Sequence, residues 1–337
     1  MKAVGYTRSL PIADPQSLLD VELPDPEPSG RDLLVQVRAV SVNPVDTKVR
    51  LRSEPPPGEV KILGWDASGV VQAAGPDAKL FHPGDEVWYA GSLVRPGTNS
   101  ELHLVDERIV GRKPRSLSHA QAAALPLTSI TAWELLFDRL GVEKEGKGAG
   151  GSLLILGAGG GVGSILTQLA RRLTNLTVLG TASRPETREW VLALGAHGVL
   201  DHRNSLSSEL RKAGFPEVSL VASLTQTDRH FPEIVHVLAP QGKLALIDDP
   251  ASIDLLALKR KSLSLHWEFM FTRPLFDTPD LIEQHRLLCA VADRVDAGVL
   301  RTTLGEHLGT IRAANLRRAH ALIEAGHVKG KIVLEGF

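Results

Sequence analysis

The sequence predicts an α/β protein of two domains, a doubly wound parallel sheet and a β-rich body. Three observations carry this. The run Ser152-Leu-Leu-Ile-Leu156 enters the glycine cluster Gly157-Ala158-Gly159-Gly160-Gly161-Val162-Gly163 and then Ile165, Leu166, Leu169 and Ala170 at helical spacing, which reads as strand, tight turn and helix. Strands and helices alternate from there to about Ile247, the pattern of parallel βαβ units. Ahead of them, short apolar runs are separated by Pro and Gly clusters, which mark turns and disfavour long helices.

Taken in order, the strand candidates of the first part are residues 3–6, 18–22, 33–42, 68–73, 85–89 and 101–105. Breaks fall at Pro24-Asp-Pro26-Glu-Pro28-Ser-Gly30, Pro55-Pro-Pro57-Gly58, Gly75-Pro76 and Pro83-Gly84. Ser118-His-Ala-Gln121 has capping-box spacing before Ala122-Ala-Ala124-Leu125, and residues 130–140 are amphipathic, so a helical bridge follows. The parallel domain then continues through strand 177–182, helix 186–194, strands 198–201 and 218–224, helix 231–238 and strand 243–247. The tail predicts helices over 281–295 and 313–325, a strand near 305–309, and a last strand at Lys331-Ile-Val-Leu334 that could return to the β-rich body. The division expected is 1–126 with 275–337 against 127–274.

With 337 residues there is room for two substantial cores. A net charge of −1 without a basic stripe argues against nucleic acid as a partner. No stretch approaches the roughly 20 apolar residues of a membrane span, and the start lacks a signal-peptide core, so no membrane partner and a cytoplasmic location are expected. The single cysteine, Cys289, excludes an intramolecular disulfide and a multi-cysteine zinc site. Among Leu287, Leu288 and Val291 it reads as a small buried hydrophobe.

The glycine cluster carries the chemistry. A sharp turn at a strand end, close backbone approach and a helix N-terminus together suit a dinucleotide pyrophosphate, so Gly160, Gly161, Val162 and Gly163 are candidate cofactor-binding residues. Ala158 stands where the strict Gly-x-Gly-x-x-Gly pattern has its first glycine, but the last two places are kept. After the second strand, where an NAD enzyme places Asp or Glu, come Ser183 and Arg184, with Arg188 a turn on. A hydroxyl and guanidinium groups suit a 2′-phosphate, which points to NADPH; the alternative is a solvated helix start. Ligands of parallel sheets sit beyond the strands' carboxyl ends, adding His202, Leu224, Thr225, Ile247 and Asp248.

Several segments resemble the medium-chain dehydrogenase/reductase superfamily, on its quinone oxidoreductase side among zinc-type alcohol dehydrogenase-like proteins. They are Ser41-Val-Asn43-Pro44-Val-Asp46, Gly64-Trp65-Asp66-Ala-Ser-Gly69-Val-Val, Pro83-Gly84-Asp85-Glu-Val87, Leu125-Pro-Leu-Thr128-Ser-Ile-Thr131-Ala-Trp133, the glycine cluster and Gly330-Lys331-Ile-Val-Leu-Glu-Gly-Phe337. The resemblance implies a GroES-like catalytic domain, a Rossmann cofactor domain, a cleft between them for the nicotinamide, and a homodimer. It also implies Asn43 as the residue positioning the nicotinamide, a Thr128 hydroxyl near its carboxamide, and stacking of His202 near adenine. Asp46 either holds a polar network there or caps the segment after Pro44, and Thr128 could instead be an N-cap. Lys331 either reaches the nicotinamide or is a surface lysine.

Zinc-dependent relatives carry Cys at the place of Asn43 and Gly-His-Glu at Gly64-Trp65-Asp66, so two ligand types are lost and no metal is expected. Hydride delivery to a small electrophile, a quinone or an α,β-unsaturated carbonyl, needs less oxyanion stabilisation than alcohol oxidation and fits better. Asn43, Asp46 and Thr128 are the catalytic candidates. A zinc-dependent alcohol dehydrogenase with unconventional ligands and a non-catalytic NADPH-binding sensor are the rivals. No tyrosine follows the Asn43 to Asp46 segment, where some quinone reductases have one; Arg50 and Arg52 either face the cleft or are solvated. The aromatic run His266-Trp267-Glu268-Phe269-Met270-Phe271-Thr272-Arg273 reads as core or dimer packing, or as a pocket wall.

Overall fold

A computed structural model of the chain describes residues 1–144, 150–326 and 328–337. They form two compact units, Met1–Ile130 with Phe271–Phe337, and Thr131–Met270.

The first unit begins with β1 (Lys2–Tyr6), β2 (Leu19–Glu22) and β3 (Asp32–Val42), followed by α1 (Pro44–Arg52), β4 (Lys61–Ile62), β5 (Ala67–Ala74), β6 (Glu86–Tyr89), β7 (Leu102–Asp106), β8 (Val110–Arg112) and α2 (His119–Ala123); α3 (Pro126–Trp133) starts in it and ends in the second unit. Burial along β3 alternates from Leu33 to Val37 and is continuous from Ala39 to Val42. Its first half therefore has one wet face and its second half is enclosed on both. Pro44 opens α1 with Asn43 as N-cap, a place where a fixed φ and a missing N–H cost nothing.

The chain bridge is not the continuous α-helix expected over 130–140. α3 ends at Trp133 and Glu134–Arg139 is a π-helix, with the Leu140 amide reaching Leu135 O at 2.9 Å. Such one-turn widenings are rare and accumulate at functional sites.

The second unit runs β9 (Gly151–Leu156), α4 (Gly161–Leu173), β10 (Leu176–Thr181), α5 (Pro185–Ala193), β11 (Gly198–Leu200), α6 (Leu206–Lys212), β12 (Val218–Ser223), α7 (Thr227–Val237), β13 (Leu238–Leu246) and β14 (Ser264–Trp267). All pairs are parallel and the order is β11-β10-β9-β12-β13-β14. The order reverses between β9 and β12, and a doubly wound sheet binds its ligand beyond the strand ends at such a point. The core under it includes Leu154, Leu156, Val221, Phe231, Ile234 and Leu244.

The tail adds α8 (Thr272–Phe276), α9 (Glu283–Asp296), β15 (Leu304–His307), α10 (Ala313–Glu324) and β16 (Lys331–Glu335) to the first unit. β16 does return there: it lies antiparallel to β3 with Ile332 opposite Val42 and Leu334 opposite Val40. The sheet runs β15-β16-β3-β5-β6-β8, with β7 also on β3.

Candidate functional site

In the second unit, the turn after β9 is built from two glycines with different tasks. Gly157 has φ +82°, and a Cβ on it would touch Thr225 Cγ2 at 3.1 Å. Leu224 and Thr225 are thus brought against the glycine turn. A Cβ on Gly163 would stand 2.4 Å from Gly157 O, so helix α4 can pack down on the turn only without a side chain there. Gly160 is different. A Cβ on it would meet only Gly157 O, at 3.5 Å, so nothing in the protein forbids a side chain there. Gly160, Gly161 and Val162 are half-buried rather than enclosed. Their helix offers unpaired N–H groups and a positive dipole end, and so fits a pyrophosphate.

Past β10, Ser183, Arg184 and Arg188 are all half-buried. Arg184 is the N-cap of α5 and its Nε lies 3.3 Å from Glu186 Oε1; Arg188 Nη1 lies 3.5 Å from Ala182 O. Two guanidinium groups therefore flank one strand end. His202 follows β11 and meets His230 edge-on at 6.3 Å. Burial lowers its pKa, with the nearby Asp201 opposing, which keeps the ring neutral and available for stacking. Ile247 is half-buried at the end of β13. The Asp248 carboxylate is already engaged: it accepts from Thr227 N at 2.8 Å and from Thr227 Oγ1 at 2.5 Å, capping α7.

In the first unit, Asn43, Asp46 and Lys331 meet in one buried network together with Asp66. The register of β16 on β3 puts Lys331 beside Asn43, and Lys331 Nζ donates to Val42 O at 3.1 Å, to Asp66 Oδ2 at 3.0 Å and to Asn43 Oδ1. Asn43 Nδ2 donates to Asp66 Oδ2 at 2.9 Å, and the other Asp66 oxygen accepts from Leu127 N at 2.8 Å in the first turn of α3. Asp46 accepts from Asn43 N at 2.5 Å, the capping role; the same carboxylate borders the network. Lys331 is only 3% exposed, so it is no surface lysine.

Burial pushes the Asp46 carboxyl up to about 7, the Asn43 amide and Lys331 pull it down, and Asp66 pushes it up again. Burial likewise raises Asp66 above the ordinary range, against Lys331, Leu127 N–H and the Asn43 amide. Three donors on two oxygens favour its ionised form. Thr128 is buried outside this network: its hydroxyl donates to Leu125 O at 3.1 Å. Sequence reasoning did not find Asp66 as the hub, although its Gly64-Trp65-Asp66 setting is legible.

Two further readings change. Arg50, read as facing a cleft or solvated, is fully buried and bonds Leu10 O and Glu324; its guanidinium is neutralised inside the unit. Cys289, read as a buried hydrophobe, is half-exposed with His285 Nε2 at 3.9 Å.

The donors of the network do not suit zinc. Two carboxylates, an amide oxygen and a backbone carbonyl lack the imidazole or thiolate that tetrahedral zinc sites use, and an ammonium already sits among them. Trp65, at the imidazole's place, donates its Nε1 to Ser92 O at 3.1 Å. Among the described residues no group of three or more His, Cys, Asp or Glu is placed to hold a metal ion, and no helix is long and apolar enough to cross a membrane.

A parallel sheet with a glycine-floored cradle, joined in one chain to a β-rich unit with a buried polar network, is the build of a nucleotide-dependent oxidoreductase. Residues 29–115 match the alcohol dehydrogenase GroES-like domain and residues 194–334 the zinc-binding dehydrogenase family. A zinc-type alcohol dehydrogenase-like protein of Staphylococcus aureus strain MSSA476 is 39% identical, with 99% of each chain covered. Among solved structures, a Rhizobium etli CFN 42 protein named as a zinc-dependent alcohol dehydrogenase is 59% identical with a TM-score of 0.96, covering 100% of this chain and 98% of that one. The mycobacterial protein Rv1454c, solved with NADPH, is 26% identical with a TM-score of 0.83, covering 99% of each. The chain belongs to the medium-chain dehydrogenase/reductase superfamily.

Proposed function

We propose that the protein is a zinc-independent, NADPH-dependent oxidoreductase of the cytoplasm that reduces a quinone or an α,β-unsaturated carbonyl. The observation that carries the reading is the cradle at Gly160 with Arg184 and Arg188 at the neighbouring strand end. The helix N-terminus takes the pyrophosphate, and the guanidinium pair with Ser183 takes the 2′-phosphate that a carboxylate would repel. The NADPH in Rv1454c supports this choice. When bound, the nicotinamide supplies a hydride.

The buried network of the first unit supports an electrophile that needs no Lewis acid. The Asp66 oxygens are already satisfied by Lys331, the Asn43 amide and the Leu127 N–H, and Asn43 is held beside them in a single orientation. The protein's share of the chemistry is then orientation and exclusion of water.

We further propose a homodimer through β14. It is the outer strand of its sheet, and Trp267 is 53% exposed on it; an uncovered edge with an apolar side chain invites a second copy.

The test is oxidation of NADPH and of NADH across quinones, alkenals and alcohols, with and without a chelator. Saturable NADPH oxidation by quinones or alkenals that the chelator leaves unchanged is expected. Chelator-sensitive alcohol oxidation would establish the zinc dehydrogenase reading that the relatives' names suggest. NADPH binding without turnover would indicate a sensor.

A further inference from the structure

The centre of the first unit's network is a cation seat. Three oxygens from three different groups, Asp66 Oδ2 at 3.0 Å, Val42 O at 3.1 Å and Asn43 Oδ1, converge on one point, and that point is Lys331 Nζ. A carboxylate, an amide oxygen and a backbone carbonyl are the donors of a hard metal ion. An ammonium has three N–H bonds and no acceptor, so these three oxygens satisfy it. All the side chains are shut in: Asp66 is 0%, Asp46 1%, Asn43 2% and Lys331 3% exposed. A divalent ion using the same oxygens would have to stand where Nζ stands.

We infer that Lys331 is the resident cation of this seat, taking the place of a metal ion, and that it acts as a positioning residue that fixes the Asn43 amide and the Asp66 carboxylate. With Nζ on its oxygen and Asp66 on its nitrogen, the Asn43 side chain has one orientation only. Asp66 passes the constraint on to the N-terminus of α3 through Leu127 N. The inference rests on the zinc-independent reading above, but its test needs no substrate.

Bound metal and thermal unfolding are measured for the full chain, for Lys331→Ala and for Lys331→Met, each with EDTA, with Mn²⁺ or Zn²⁺, and with ethylammonium or propylammonium. The natural protein is expected to bind no stoichiometric divalent ion and to keep its Tm under EDTA. Lys331→Ala leaves a buried carboxylate without its partner and should lose roughly 10 °C in Tm. Added cation or alkylammonium should restore it saturably, the longer amine more effectively. Lys331→Met fills the space without charge and should be no better restored by either. A merely structural role for the lysine would not give rescue that depends on amine length.

Stoichiometric zinc in the natural protein, with Tm lost on chelation, would overturn the inference. So would a Lys331→Ala protein that folds and responds to no cation. If Lys331→Ala does not fold, the pair Lys331→Met and Asp66→Asn decides. Recovery of Tm in the double variant over Lys331→Met alone supports the seat, and absence of recovery overturns it. Amine rescue in a protein that reduces no quinone or alkenal would leave the seat standing and remove only the substrate reading.

Discussion

A side chain on Gly163 would place its first carbon 2.4 Å from the carbonyl oxygen of Gly157, whereas one on Gly160 would meet that same oxygen at an ordinary 3.5 Å. The fold requires one glycine and tolerates a side chain at the other, which the proposed cofactor site needs bare. Gly163→Ala should therefore lower Tm by several degrees, because α4 must move off its turn. Gly160→Ala should keep Tm nearly unchanged and weaken NADPH by roughly tenfold or more, since only the approaching phosphate meets the new methyl. Thermal unfolding beside a fluorescence titration with NADPH checks both. Equal Tm losses would count against this division of labour.

Choice of cofactor should reside in the strand end after β10. Each charge-assisted bond to a 2′-phosphate contributes on the order of 1.5–3 kcal/mol. Replacing Arg184 and Arg188 by Ala should therefore raise KM for NADPH by about 10–100-fold and leave KM for NADH within about twofold. Ser183→Asp should reduce the NADPH preference further, by repulsion. Steady-state kinetics with both cofactors is the measurement, and a parallel loss for NADH would mean that the arginines serve the fold.

His320 on α10 is buried with both ring nitrogens lacking a hydrogen-bond partner. Burial, with Arg50 beside it, pushes its pKa down to about 3. The folded protein holds it neutral while the unfolded chain takes up a proton near 6.5. Its contribution to stability is then complete above pH 6.5 and is lost as the pH falls toward 3. By pH 4.5 the loss is about 3 kcal/mol. His320→Phe should flatten the acid side of a denaturant-midpoint profile; an unchanged slope would show that another group sets it.

The legible parts were those written in local periodicity and in glycine spacing. Ser152 to Gly163 and the later alternation specified the parallel sheet, and Lys331 to Leu334 read as a strand because four successive residues suit one. The π-helix at Glu134–Arg139 left no periodic trace, since one extra residue in a turn barely shifts an amphipathic stripe. Arg50 and Glu324 are 274 residues apart and Lys331 and Asp66 are 265 apart, so the first pairing exists only once α10 has packed on α1 and the second only once β16 has docked on β3. A charge in a helix reads as solvated until such a partner arrives from elsewhere in the chain. For Cys289, apolar neighbours in sequence hid a polar one: one turn away on α9 stands His285, which helps lower the thiol's pKa against the effect of burial.

Glu134 opens the π-helix and Glu268 follows β14, and both are buried, at 1% and 2% exposure. One guanidinium serves the two: Arg139 Nε is 2.9 Å from Glu268 Oε2, and its Nη2 is 4.0 Å from Glu134 Oε2. His266 and Lys243 lie on the neighbouring strands, and the His266 pKa is lowered by burial, then by Lys243 and Arg139, so that ring adds no second positive charge near neutral pH. Two enclosed carboxylates side by side disfavour each other's charge, so a proton held by one of them lowers the cost of burying the pair. Burial and the Glu134 charge accordingly push Glu268 up, against Arg139, to about 9. The unfolded chain releases that proton near the ordinary glutamate value. Between there and the folded value the native state binds more protons, so stability falls as pH rises through this window. Glu268→Gln keeps the neutral form at every pH. From pH 6 to pH 9 the natural protein should lose roughly 5–10 °C more in Tm than Glu268→Gln. Parallel profiles for the two proteins would mean that both carboxylates are ionised at neutral pH and that Arg139 alone holds them.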